Sequence, residues 1–266
     1  MTDEVELYDE YYSHLTSDVQ CDVRRETYGE DLGQASWMTA AEARGWFDLL
    51  KLGPGQRTLE VACGSGGVTC AMAAHTGAAC VGVDINAHGI DAAKATAERR
   101  ALSAIASFHV VDAGHVLPFP DESFDAIFCN DAINHLPERP AVLRDWHRLL
   151  RPGGRVLFTD PIVVTGQLSN DEIRVRSSIG FFLFTPAGHN ERLLTETGFT
   201  VRRVADVTDA VVSVSGRWHD ARARRRAPLT AIEGEETFDG LQRFLAIVRV
   251  LAGERRLSRF MYLADK

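Results

Sequence analysis

Several absences narrow the chemistry of this chain before any motif is read. Its cysteines, Cys21, Cys63, Cys70, Cys80 and Cys129, are odd in number and scattered, with no C-x-x-C pair. A disulfide framework and a zinc site are therefore not expected, and a reducing cytoplasm without a bound metal fits best. No apolar stretch reaches the roughly 18 residues that a membrane span needs. The opening MTDEVELYDEYY is acidic and lacks a basic region followed by an apolar run, so a soluble, unprocessed protein is expected. Positive charge is scarce too, with 29 Lys and Arg against 37 Asp and Glu and a formal net charge of −8. Nucleic acid and anionic membrane both need a positive surface to displace counterions, which leaves small-molecule substrates as the expected partners. The one basic run, RARRR at 222 to 226, reads as an exposed helix face.

What is present suits one large core. With 266 residues and 45% hydrophobic content, a single domain with an appendage is expected. Thr39 and Glu42 form a capping-box start for a helix over about 40 to 51. Apolar strand patterns and helices of about a dozen residues then alternate from RTLEVAC to GRVLFTDPIVV, the last strand following the turn RPGG. That rhythm predicts an α/β fold, with right-handed crossovers and a parallel sheet covered on both faces. The rest departs from it. Ser169 and Glu172 make a second capping box in a segment that reads as a cap over the ligand crevice, followed by a helix in PAGHNERLLTETGF and a strand in TVRRVADVT. Two helices are expected at about 209–228 and 237–253, before a last strand in SRFMYLADK.

The stretch LEVACGSGG, residues 59 to 67, runs an apolar strand into a glycine-rich turn with one acid, Glu60, inside the apolar run. A dinucleotide fingerprint needs a third glycine where Thr69 stands, and a carboxylate beside a pyrophosphate would be repelled. Glu60 suits instead a ligand with positive charge and no phosphate, such as S-adenosylmethionine. Asp84 ends the next strand, CVGVD, where a carboxylate can accept both ribose hydroxyls. Asp112 ends the third, where an acid followed by the small Ala113 can take the adenine amine. Any one of these acids alone reads equally well as a solvated strand end or helix cap.

Taken with VGVDIN, VVDAGHVLPFPDESFDAIFCNDAINHL and LLRPGGRVLFTD, the glycine-rich stretch resembles the class I S-adenosylmethionine-dependent methyltransferase family over about residues 55 to 161. The resemblance implies a Rossmann-like seven-stranded, mostly parallel sheet with helices on both faces and the last strand antiparallel. It implies S-adenosylmethionine as cofactor, with Glu60, Ala62, Cys63, Gly64, Ser65, Gly66, Asp84, Ile85, Asp112, Ala113 and Asn130 around it. A backbone carbonyl near Asn130 and Asp131 would meet the methionine ammonium. Within the family, the layout and GQASW look similar to the sarcosine and dimethylglycine type of amine methyltransferase.

Methyl transfer is an in-line displacement at carbon, so the site must position the nucleophile, exclude water and remove any proton it carries. His135 in NDAINHLP is the candidate base, and its alternatives are packing on the adenosyl group or capping the helix at 138. Tyr8, Tyr11, Tyr12, Tyr28 and Trp37 suggest a lid over residues 1 to 38, with Tyr11, Tyr28 and Trp37 facing the cofactor; the other reading is amphipathic packing. Residues 39–266 form the methyltransferase domain, with a cap insertion at about 162–185 and a helical insertion at about 209–257 that can pair subunits into a homodimer. FFLF at 181 to 184 lines the pocket or fills the core beneath the cap. Arg174, Arg176, Arg217, Trp218 and His219 are candidates to hold a carboxylate or phenol. The expected activity is methylation of a small metabolite, nitrogen ahead of oxygen or carbon. A natural-product O- or C-methyltransferase, a non-catalytic binding protein and a nicotinamide dehydrogenase are the alternatives.

Overall fold

The computed structural model describes residues 14–266; Tyr8, Tyr11 and Tyr12 lie outside the described residues. Its centre is a sheet in the order β3-β2-β1-β4-β5-β8-β7. The strands are β1 (Arg57–Val61), β2 (Ala79–Asp84), β3 (Ala106–Val110), β4 (Phe124–Cys129), β5 (Leu150–Val164), β7 (Thr200–Asp206) and β8 (Leu257–Asp265), with the two-residue β6 (Thr185–Pro186) appended to β5. β1 to β5 pair in parallel, and β8 runs antiparallel to both β5 and β7. This is a Rossmann-like α/β fold with its last strand antiparallel; β6 makes eight strands where seven were expected. The strand order reverses between β1 and β4, which opens a crevice beyond their carboxyl ends.

One apolar layer lies between the sheet and α2 (Ala40–Leu50), α3 (Gly67–Thr76) and α4 (Ala87–Arg99), built from residues such as Trp46, Phe47, Met72 and Ile90. The opposite layer, with Trp146 and Leu193, is covered by α5 (Arg139–Leu149) and α7 (His189–Glu196). Both capping boxes form: Thr39 with Glu42 starts α2, and Ser169 with Glu172 starts α6 (Asn170–Arg176).

A third assembly gathers α1 (Asp18–Tyr28), α8 (Thr208–Ala223) and α9 (Arg226–Gly253), around buried Tyr28, Trp37, Val214 and Phe244. The boundary between α8 and α9 differs from expectation. Pro228 does not end a helix but sits in the first turn of α9, where its missing N–H costs nothing. The interruption falls instead at Gly234, whose φ of 79° and ψ of 160° break the helical path. RPGG, expected as a turn before the fifth strand, is carried inside β5.

RARRR is not a uniformly solvated face. It forms the junction of α8 and α9, where acids from α1 and α9 converge. Arg222 is buried against Glu233, Arg224 and Arg225 both reach Glu26 on α1, and Arg226 pairs with Glu235 and Asp239.

Candidate active site

Glu60 lies in the middle of the sheet, opposite Gly82 on β2 and Phe128 on β4, and is buried. A bare carboxylate there would be costly. Thr69, in the first turn of α3, donates its hydroxyl proton to Glu60, so the residue that displaces the third glycine is the partner of the unusual acid. Burial raises the Glu60 carboxyl to about 8, with the Thr69 hydroxyl opposing the shift and the Asp84 charge adding to it. Glu60 is therefore mostly protonated at neutral pH until a positive group arrives beside it.

The loop after Glu60 turns through left-handed backbone at Ala62 (φ 58°), Gly64 (φ 52°) and Gly66 (φ 70°). For Ala62 this costs of order 1 kcal/mol or more. A Cβ at Gly66 would come within 2.5 Å of the Ala93 Cβ, and one at Gly67 within 1.7 Å of the Leu32 carbonyl oxygen. The second clash exists because the segment leading into α2 crosses directly over the loop. Ser65, expected to touch a ligand, spends its hydroxyl on this crossing and donates to the Gly33 carbonyl at 3.0 Å. Cys63 is buried with its amide bonded to the Val83 carbonyl at 3.0 Å, and burial pushes its thiol well up.

Asp84 ends β2 with its Oδ2 accepting the Gly64 N–H at 2.8 Å and its Oδ1 accepting the Asn86 N–H at 2.9 Å. Burial raises its pKa while those backbone donors pull it down. Each oxygen still has a second lone pair to offer. Next to it, Ile85 is 47% exposed, an apolar surface at the open edge of the sheet. One strand further, the Val111 N–H bonds the Asp84 carbonyl at 2.9 Å, and Asp112 accepts from the Gly114 N–H at 2.8 Å, with Ala113 half-buried between them. Glu60, the glycine loop, Asp84 and Asp112 thus fall at the carboxyl ends of three adjacent strands.

The loop after β4 holds a buried polar cluster. Asp131 has left-handed backbone (φ 54°), and its carboxylate accepts from the Trp37 N–H at 2.9 Å, from Thr159 Oγ1 at 2.7 Å and from Arg259 Nε at 2.7 Å. Arg259, 0% exposed on β8, also donates to Asn130 Oδ1 at 2.9 Å and lies 4.9 Å from the Trp46 ring. Asn130 is therefore tied to this cluster through its side chain.

His135 follows on a short 3-10 turn (Ile133–His135). Its Nδ1 lies 2.7 Å from the Phe181 carbonyl oxygen, and a carbonyl only accepts, so Nδ1 carries a proton. The ring packs 4.9 Å from Phe182, which brings FFLF of the cap down onto this loop.

Above His135 is a cavity of about 820 Å³, bounded by the post-β4 loop, the cap and α8 and α9. Trp37 lines it, its ring 6.2 Å from those of Phe244 and Trp218. Tyr28 lies not at the glycine loop but 6.3 Å from Trp218, beneath the helical insertion. Arg174, Arg176 and Trp218 line the cavity, whereas Arg217 is exposed and outside that lining, and His219 faces Asp220 at 3.1 Å. Tyr11 lies outside the described residues. Sequence reasoning missed Arg259, Thr159 and Asn134. Arg259 had a signal, a lone cation inside the otherwise apolar strand SRFMYLA, but nothing local indicated its partners, which stand 128 and 129 residues away.

A family model described as a methyltransferase domain matches residues 59–158. The chain is 30% identical over 211 residues to the O-methyltransferase resE of Aspergillus sclerotiorum, covering 77% of this chain and 78% of that protein. It is also 30% identical over 218 residues to a phosphoethanolamine N-methyltransferase of Triticum aestivum, covering 81% of this chain but spanning only 42% of that protein's length. Among solved structures, phosphoethanolamine N-methyltransferase 2 of Haemonchus contortus in complex with S-adenosyl-L-methionine has a TM-score of 0.81 at 20% identity, covering 98% of this chain and 60% of that one. That likeness is one of fold.

Proposed function

Because the chain belongs to the class I S-adenosylmethionine-dependent methyltransferase family, we propose that it transfers a methyl group from S-adenosylmethionine to a small-molecule acceptor held in the cavity above His135. The observation that carries this reading is the meeting of two half-sites. An acid-lined strand edge stands on one side of the post-β4 loop, and an acceptor-sized cavity on the other.

The residues at the strand edge fit the cofactor. Glu60, held neutral by burial, ionises in favour of a positive group, and Asp84 retains lone pairs for ribose hydroxyls. Ile85 gives the adenine an apolar surface, and Asp112 with Ala113 stands at its amine edge. Bound there, S-adenosylmethionine supplies a methyl group made electrophilic by its sulfonium. The chain does the rest. The segment over the glycine loop, anchored by Ser65 at one end and by the Trp37 N–H on Asp131 at the other, acts as a lid that excludes water. The Phe181 carbonyl fixes the His135 tautomer so that Nε2 takes the acceptor's proton.

The test is turnover. His135→Ala is expected to lower methyl transfer by about 10²–10⁴-fold with S-adenosylhomocysteine affinity nearly unchanged, since proton removal belongs to the transition state. A parallel loss of cofactor affinity, measured by calorimetry, would assign His135 to the adenosyl pocket instead.

A further inference from the structure

The cavity above His135 is far larger than a short amine requires. At about 30 Å³ per water, its 820 Å³ would hold about 27 waters. A two-carbon amino phosphate would leave most of that volume wet, and the transfer unprotected from water. Cavities of this size take drug-sized ligands.

The walls argue about chemistry as well as size. Trp37, Ile179, Phe182, Trp218, Leu241 and Phe244 make much of the lining apolar. An ammonium acceptor would look to aromatic faces or to a spare carboxylate. The Arg176 guanidinium already lies 4.6 Å from the Phe182 ring and 4.9 Å from the Phe244 ring. Of the lining acids, Asp131 and Glu233 are paired with Arg259 and Arg222, and Glu236 is exposed to water. Asn134 is fully buried at the wall, and neither Nδ2 nor Oδ1 of its amide has a hydrogen-bond partner among the described residues, leaving both a donor and an acceptor for an oxygenated ligand.

Resting on the methyltransferase reading above, we propose that the acceptor is a multi-ring or macrocyclic alcohol or phenol, methylated on oxygen, with its apolar body in this cavity and an oxygen function on Asn134. The hydroxyl oxygen forms the bond to the methyl carbon, the carbon–sulfur bonding pair leaves on sulfur, and the hydroxyl proton passes to His135 Nε2. Nitrogen, favoured by the sequence alone, gives way to oxygen.

Four probes test this by calorimetry on the full chain saturated with S-adenosylhomocysteine: the trihydroxyanthraquinone emodin, the macrocyclic polyol erythronolide B, phosphoethanolamine and sarcosine. At least one ring compound is expected to bind saturably and to gain an O-methyl group when labelled S-adenosylmethionine replaces the product, while the two amines do neither. Thr237→Trp, at the exposed mouth of the cavity, should weaken ring-compound binding by about tenfold by filling space. Asn134→Leu should also weaken it by about tenfold while the unfolding midpoint stays level or rises, because an unsatisfied amide is removed. Failure of both ring compounds to bind, binding indifferent to both variants, a bound ring compound that gains no O-methyl group, or methylation of either amine in preference would each overturn the proposal. Absence of S-adenosylhomocysteine binding would instead overturn the methyltransferase reading beneath it.

Discussion

At the scale of single residues, the proposed role of Glu60 predicts that cofactor binding depends on pH. Its carboxyl titrates near 8 in the ligand-free fold against an ordinary value of 4.5. A carboxyl raised on folding gives stability that is present below about 4.5 and lost as pH rises through about 8. The cofactor's ammonium reverses the preference, so binding expels the proton and affinity should tighten as pH rises toward 8, approaching tenfold per pH unit. Glu60→Gln should flatten that slope. Calorimetric titrations of S-adenosylhomocysteine across this range check it, and a flat wild-type profile would leave Glu60 a structural acid. Glu60 and Asp84 stand out in the sequence because an acid in an apolar run and an acid at a strand end are local anomalies. The contact that Ser65 makes is not legible there, since the Gly33 carbonyl that takes its hydroxyl lies 32 residues away.

Among the elements, Arg259 joins β8 to the post-β4 loop and, through Asp131, to the segment crossing the glycine loop. Arg259→Met would leave the Asp131 carboxylate buried without its cation, at an expected cost of about 3–5 kcal/mol. Adding Asp131→Asn should restore part of that loss, because the uncompensated charge goes with it. Urea unfolding of the single and double variants measures the coupling, and a single-variant cost below about 1 kcal/mol would show the cluster to be loosely held. Elements were legible where their signals are local, as at the capping boxes of Thr39 and Ser169. They were misread where tertiary contacts decide. The helix expected over about 209–228 ends at Ala223, and RARRR became a junction only once Glu26 and Glu233 were brought to it.

For the whole molecule, the acid-lined edge of β1, β2 and β3 and the large cavity are joined through the post-β4 loop. The alternation of strands and helices announced the sheet, and the acids at the ends of neighbouring strands marked its carboxyl edge. The cavity was not legible, because its walls come from the segment before α2, the cap and two late helices that meet only in the fold. The central claim is that this edge holds S-adenosylmethionine and not a pyrophosphate dinucleotide. Thermal unfolding with hydrogen exchange, in S-adenosylhomocysteine and separately in NAD, tests it most directly. At a hundred times its Kd, S-adenosylhomocysteine should add about 2.7 kcal/mol of stability and slow amide exchange in the glycine loop and in residues 31–37, and NAD should do neither. Protection by NAD with none from S-adenosylhomocysteine would contradict the account.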